Sequence, residues 1–112
     1  MTAPFESLLT VEVREAPDCT LVCAAGELDL AVSGKVEHAV DALLDAGCPA
    51  VVLDLRELTF IDSSGVRELL HCRDAAHARD ARLALALAPG PVTRALEVCA
   101  VLELFEVGAD PT

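Results

Sequence analysis

The sequence contains no tryptophan or tyrosine and only three phenylalanines among its 112 residues. Hydrophobic residues nonetheless make up 54% of the chain, so its core must be built mainly from Ala, Val and Leu. This content, against 24% charged residues, argues against a disordered chain. The length predicts a single domain over residues 1–112, with loose termini at about residues 1–7 and 108–112.

Basic residues are also scarce, since 8 Lys and Arg stand against 19 Asp and Glu, for a formal net charge of −11. No stripe of Lys or Arg is visible along the chain. We therefore expect no direct binding to nucleic acid, because neutralisation of phosphates by basic side chains normally supplies most of that affinity. A basic surface on a protein partner suits this charge better.

The chain lacks long apolar runs and paired cysteine motifs. No apolar run approaches the roughly 20 residues needed to span a bilayer, and the N-terminus lacks the pattern of a signal peptide. We therefore expect a cytoplasmic protein without membrane insertion. An odd number of cysteines without a C-x-x-C pair predicts buried, reduced thiols; they are Cys19, Cys23, Cys48, Cys72 and Cys99.

Motifs for common chemistries are missing as well. G-x-S-x-G is absent, and His71 would lie roughly 10 Å beyond Ser64 along a regular helix, which disfavours a serine hydrolase. His71, Cys72 and His77 lack the spacing of metal ligands. Neither a P-loop nor G-x-G-x-x-G occurs. We expect no metal and no cofactor.

What is present is a regular alternation of strand and helix patterns. Period-two and continuous apolar runs predict strands near residues 9–13, 20–25, 50–55, 83–87 and 104–107. Helical periodicity predicts helices near residues 32–44, from 63 or 64 to about 78, and after Pro91. This order predicts an α/β domain with a mixed sheet of four to five strands, helices mainly on one face and right-handed crossovers.

Helix ends and faces follow from the same patterns. Asp29 or Ser33 is expected to cap the first helix. Gly47 is expected to end the first helix with a positive φ, and Asp80 is expected to end the second helix in the same way. The second helix should bury Val66, Leu69, Leu70 and Ala76, with Arg67, Glu68, Arg73 and Asp74 outward. The third should begin at Pro91 and turn Val92, Leu96 and Cys99 inward.

The third strand breaks directly into the second helix at Asp62, Ser63, Ser64 and Gly65. Asp and Ser are favoured helix caps, and their side chains there also face the positive end of the helix dipole. Yet one cap needs one side chain, and a glycine in the first turn costs about 0.8–1.0 kcal/mol relative to Ala. Such a glycine makes sense where another backbone must come close. The residues alone leave open whether the junction is only a cap or also a switch.

This junction carries a family resemblance. Residues 51–55 and 60–65, with the G-E-L-D run at 26–29 before them and L-E-L-F at 102–105 after them, resemble the STAS domain of bacterial anti-sigma factor antagonists. The resemblance covers nearly the whole chain, and D-S-S-G at the strand–helix junction is its most specific part. It implies a STAS-like fold and a protein that is not itself an enzyme.

The resemblance also implies a mechanism. Ser63 would accept phosphate from an anti-sigma factor with serine kinase activity, and a PP2C-like phosphatase would reverse the step. The unphosphorylated antagonist would bind the anti-sigma factor and phosphorylation would release it. Asp29 would lie near the acceptor, and the expected partner-binding residues are Asp29, Asp62, Ser63, Ser64, Gly65 and Arg67.

Several alternatives stay open. Asp62 is the better candidate cap, whereas Ser64 is either a second cap or a kinase contact. Arg67 stands where many members have a small residue, and Gly is common where Asp80 and Ala100 stand. A STAS domain also serves without phosphorylation, as a regulatory or scaffold subunit, for example of a transporter. A small serine hydrolase is the remote alternative.

Overall fold

In the part of the chain that the structure describes, five strands form one mixed sheet in the order β1-β2-β3-β4-β5. The computed structural model describes residues 8–32 and 34–108, so most of the predicted loose termini lie outside the described residues. Strand β1 (Leu9–Glu15) pairs antiparallel with β2 (Thr20–Leu28). The remaining strands follow in parallel: β3 (Ala50–Ile61), β4 (Arg82–Ala86) and β5 (Glu106–Val107). The predicted mixed sheet is confirmed.

The described residues form three α-helices that pack on one face of this sheet: α1 (Lys35–Asp45), α2 (Ser63–Ala78) and α3 (Pro91–Val98). Val22, Leu53 and Leu85 lie side by side in register, are fully buried, and share one apolar cluster with buried residues of all three helices. The buried Leu21, Ala84 and Ala86, which alternate with them, lie outside that cluster. Helices on one face are thus confirmed, and none of those described could cross a membrane by its length and apolar character.

Strands β2 and β3 both run further than predicted. Gly26 was expected to end β2, but the strand continues through it, with φ 106°, to Leu28. A Cβ on Gly26 would lie 1.8 Å from the carbonyl oxygen of Leu8, so only glycine allows β1 this close. Two register shifts let β3 stay paired with β2 as far as Ile61, which carries the chain directly to the start of α2.

The helix boundaries are predicted well, but the cap of α1 is not. Gly47 and Asp80 have the expected positive φ, 85° and 54°, and α3 begins at Pro91. Asp29 does not cap α1, because its Oδ1 accepts a bond from the Ala31 N–H, 3.0 Å away, and α1 begins only after Gly34. Ser33, the other candidate, lies outside the described residues.

The start of α1 is capped from another helix, by Glu68. The prediction that Glu68 points outward is wrong, since only 3% of it is exposed. Its carboxylate accepts hydrogen bonds from the backbone N–H groups of Gly34, Val36 and Glu37, at 2.7, 2.8 and 2.9 Å. The first N–H groups of a helix have no partner within it, and the helix dipole favours a negative charge there. Glu68 therefore fixes α1 against α2.

The cysteines are all free thiols, as predicted, but only Cys72 is buried. Burial raises the pKa of the Cys72 thiol, and the nearby Glu68 carboxylate raises it further. Cys99 was expected to face inward and is instead exposed, because α3 ends at Val98 and Cys99 is its C-cap residue. Cys19, Cys23 and Cys48 are half-buried.

Replacement of Glu68 tests the interhelical cap. We expect Glu68→Ala to lower the free energy of unfolding by about 3 kcal/mol, because it leaves one buried and two partly buried N–H groups without an acceptor. Urea denaturation followed by circular dichroism measures the change. Glu103→Ala, at an exposed position, is the control and should change stability by less than about 0.5 kcal/mol. A loss below about 1 kcal/mol for Glu68→Ala would contradict the cap.

Thiol reactivity tests the placement of the cysteines. Thiolates react and thiols do not, so a buried thiol with a raised pKa should be inert. We expect a disulfide reagent to modify Cys99 first in the folded protein and Cys72 only after denaturation, as read by mass spectrometry of timed samples. Cys99→Ser should remove the fast phase alone. Equal rates for Cys72 and Cys99 under native conditions would show that the assigned burial is incorrect.

Candidate functional site

The site is built where β3 gives way to α2, at Asp62. This residue has extended backbone angles (φ −111°, ψ −173°), and helical geometry starts at Ser63. Its Oδ1 accepts a hydrogen bond from the Gly65 N–H at 3.0 Å, and its carbonyl oxygen accepts one from Val66 at 3.0 Å. These bonds define an N-cap, so the prediction that Asp62 caps α2 is confirmed.

Asp62 also binds the segment that follows β2. Its Oδ2 accepts a hydrogen bond from the Leu30 N–H at 3.3 Å, and its own N–H donates to the Leu28 carbonyl oxygen at 3.3 Å. Asp29 lies between these two contacts, so the structure brings the carboxylates of Asp29 and Asp62 into the same region. The expected proximity of Asp29 to the strand–helix junction is therefore a feature of this fold.

The two serines of the junction differ in exposure. Ser63 is the first residue of α2 and is exposed, whereas Ser64 is half-buried. Neither hydroxyl forms a hydrogen bond within the described part of the chain, and Ser64 is not a second cap, because Asp62 already binds the Gly65 N–H. His71, the histidine considered as a base for a serine hydrolase, forms no hydrogen bond with either serine; its Nδ1 lies 3.5 Å from Glu37 Oε1. The Ser63 hydroxyl thus faces solvent at the positive end of a 16-residue helix.

Gly65 is buried and has a packing role within the chain itself. A Cβ at this position would lie 2.6 Å from Ile61 Cγ1 and 2.7 Å from the carbonyl oxygen of Leu28. The backbone that approaches this glycine therefore belongs to the end of β2. Gly65 positions the junction, and we leave it out of the surface available to a partner.

Arg67 and two apolar side chains complete the exposed surface around Ser63. Arg67 is exposed, lies four residues after Ser63 on α2, and forms no ion pair with any described residue. Leu30 and Phe60 are 74% and 46% exposed. We call this surface the Ser63 patch; it consists of Asp29, Leu30, Phe60, Asp62, Ser63, Ser64 and Arg67.

Sequence reasoning missed Leu30 and Phe60 as parts of this surface. Leu30 stands outside the apolar periodicity of α1, which was a usable signal for an exposed position. Phe60 gave no such signal, because its outward direction depends on the register shifts between β2 and β3. Among the described residues, no group of three or more His, Cys, Asp or Glu side chains is arranged to hold a metal ion.

Comparison of the sequence with protein families finds a match, over residues 11–106, to the family described as "Mlab, STAS domain". The match spans most of the chain and includes every residue of the Ser63 patch. Sequence comparison with curated proteins gives no match.

Comparison with solved structures finds anti-sigma factor antagonists. One from Mycobacterium paratuberculosis superposes with a TM-score of 0.81 at 20% identity, over 98% of this chain and 92% of that one. The antagonist SpoIIAA in its unphosphorylated form gives 0.69 at 21% identity, over 92% and 90% of the two chains. The Bacillus cell-fate determinant SpoIIAA in its phosphorylated form gives 0.68 at 20%, over 90% and 92%. At these identities the likeness establishes the fold.

Replacement of Gly65 tests the packing at the junction. We expect Gly65→Ala to destabilise the protein by about 1–3 kcal/mol, because the new methyl group overlaps Ile61 and the Leu28 carbonyl. This loss should appear although Ala favours a helix interior by about 1 kcal/mol over Gly. Thermal and urea denaturation measure it. Ser63→Ala is the control: Ser63 is exposed and lies two residues before Gly65, so the free energy of unfolding should stay within about 0.5 kcal/mol of the parent. A stabilising Gly65→Ala would refute the close packing.

Proposed function

The chain belongs to the STAS domain family, and we propose that it is an anti-sigma factor antagonist whose binding is controlled by phosphorylation of Ser63. The observation that carries this proposal is the exposed Ser63 hydroxyl at the first position of a helix that Asp62 already caps. Because the cap does not use this hydroxyl, a phosphate can replace its proton without removing a hydrogen bond from the fold. The similarity of fold to anti-sigma factor antagonists supports the same role.

Accessibility favours Ser63 over Ser64 as the acceptor. A kinase must reach the hydroxyl and align it with a phosphate donor, which requires an exposed side chain. Ser63 is exposed and Ser64 is half-buried in the first turn of α2. The anti-sigma factor that we propose as partner would itself be the serine kinase, and a PP2C-like phosphatase would remove the phosphate.

A phosphate on Ser63 should leave the fold intact. It would add a charge of about −1.5 to −2 at the start of α2, where the helix dipole stabilises a negative charge by about 0.3–1 kcal/mol. Arg67, four residues further along the same helix face, is placed to pair with it. These gains offset the repulsion from Asp29 and Asp62, so we expect no loss of the folded state.

The same phosphate should weaken partner binding. The exposed Leu30 and Phe60 lie in the Ser63 patch, and burying them against a partner would remove water from around Ser63. An uncharged hydroxyl tolerates that desolvation, whereas burial of a phosphate dianion is costly unless the partner places a cation directly opposite it. Release therefore follows from a change in the surface alone.

The proposed role has further parts. The protein would act in the cytoplasm by binding other proteins, with no catalytic activity and no direct contact with nucleic acid. If the Ser63 patch binds its partner regardless of modification, the protein is instead a regulatory or scaffold STAS module. Comparison of partner binding with and without phosphate on Ser63 distinguishes the two roles.

Phosphorylation and binding can be measured together with the cognate anti-sigma factor. With ATP, we expect peptide mass spectrometry to place phosphate on Ser63; Ser63→Ala should abolish the modification and retain binding. Ser63→Asp should bind at least about tenfold more weakly by titration calorimetry, a loss of about 1.4 kcal/mol. Ser64→Ala is the matched control and should still be phosphorylated. Phosphate on another residue, with equal binding of Ser63→Asp, would replace the switch with the non-switching module.

A further inference from the structure

Strand β1 lies at the edge of the sheet, and its hydrogen-bond pattern defines which groups face outward. In an antiparallel pair, residues that exchange hydrogen bonds with the neighbour alternate with residues whose N–H and C=O point away. Ala16 N–H donates to the Cys19 carbonyl at 2.9 Å, and Glu27 N–H donates to the Leu8 carbonyl at 3.3 Å, so both of these pairs are hydrogen-bonded ones. The even-numbered residues of β1 therefore bond to β2.

The odd-numbered residues of β1 consequently direct their backbone groups away from the sheet. At one end, the Leu9 carbonyl accepts a hydrogen bond from Lys35 Nζ at 2.9 Å. The outward groups of Val11, Val13 and Glu15 have no such partner in the part of the chain that the structure describes. Three alternate residues along this edge, Val11, Val13 and Glu15, thus each offer a donor and an acceptor to another strand.

The side chains of this edge are complementary to themselves. If a second β1 lies antiparallel with Val13 opposite Val13, Glu12 stands opposite Arg14 of the second copy, and Arg14 opposite its Glu12. Glu12 and Arg14 form an exposed ion pair with each other at 2.9 Å, and both side chains are 64% exposed, so in a dimer each would also face the opposite charge of the second copy. Val13, between them, is 50% exposed. The arrangement joins opposite charges twice around one two-fold axis.

We propose that β1 is a self-association surface, where two copies of this chain pair edge to edge around Val13 into one continuous sheet. Val13 would exchange two backbone hydrogen bonds with its counterpart, and Val11 would exchange two with Glu15 of the second copy on each side of the axis. This surface shares no residue with the Ser63 patch, so self-association at β1 is independent of the proposed function.

The ends of the paired segment fit this register. Beyond the pair of Val11 and Glu15, Leu9 would face Pro17 of the second copy, which has no N–H to donate. The Leu9 carbonyl needs no such donor, because Lys35 already supplies one. The ladder therefore stops where the chain provides another partner. Acidic edge residues normally prevent such pairing, but here Arg14 interrupts them and makes the edge attractive to its own copy.

The net charge of −11 on each copy opposes this association. We therefore expect a concentration-dependent equilibrium with a measurable monomer fraction. Sedimentation at rising concentration of the full chain should show a shift from 11.7 kDa toward twice that mass. A chain that stays monomeric up to millimolar concentration would overturn the proposal.

Charge reversal tests the register. Glu12→Arg and Arg14→Glu should each weaken association by about tenfold or more, because each places like charges opposite one another twice. The double variant, which exchanges the two charges, should associate like the parent. An equimolar mixture of the two single variants should form heterodimers, since the Arg pair of one then faces the Glu pair of the other. Unchanged association of both single variants would refute this pairing.

Two further measurements keep the test independent of folding. Val13→Pro removes an outward donor that β2 does not use, so it should weaken association by about tenfold while the monomer unfolds as before. Val13→Thr keeps the donor and is the matched control.

Amide exchange should slow with concentration at Val11, Val13 and Glu15 and remain slow throughout at Thr10, Glu12 and Arg14. Concentration-dependent protection at any other surface instead would place the interface elsewhere.

Discussion

The buried carboxylate of Glu68 is the interaction on which the arrangement of the helices depends. It lies in the second turn of α2 and binds three N–H groups at the start of α1, so two helices distant in sequence share one charge. Asp62, at the cap of α2, binds Leu30 at the other end of the same connection. Both ends of the segment between β2 and α1 are thus held by carboxylates of one helix start. Because this segment is held at both ends, the residues that it contributes to the Ser63 patch are held in place as well.

Asp62 and Glu68 each use a carboxylate to bind N–H groups at a helix start, one in its own helix and one in a helix distant in sequence. Asp62 caps its own helix, three residues away, while Glu68 caps a helix that begins more than thirty residues earlier. Between them lie the exposed Ser63 and Arg67, which the core does not use. A charge added at Ser63 therefore acts on the surface without entering the bonds that fix α1 and α2. In the proposed function, stability and regulation would therefore depend on neighbouring but separate residues.

The parts of this site that could be read from the sequence are those fixed by local interactions. The cap at Asp62, the start and end of α2 and the exposure of Ser63 follow from residues within one or two turns. Glu68 could not be placed, because helical periodicity sends a charged residue to solvent and the donors that bury it lie in another helix. Gly65 suggested a close backbone, but only the fold identifies that backbone as Leu28. Local propensity carries no information about such distant neighbours.

The two register shifts between β2 and β3 determine which side chains of β3 are exposed next to the strand–helix junction. Between the pairs Thr20–Val51 and Leu28–Ile61, β3 contains two residues more than β2. Each shift adds one residue to β3, and the pairs that follow it still share a face: Leu58, paired with Gly26 after the first shift, and Ile61, paired with Leu28 after the second, are both buried. Two consecutive residues, Thr59 and Phe60, therefore lie between these buried positions, and both are exposed. Regular alternation would expose only one residue there, so the second shift supplies an additional exposed side chain beside the strand–helix junction.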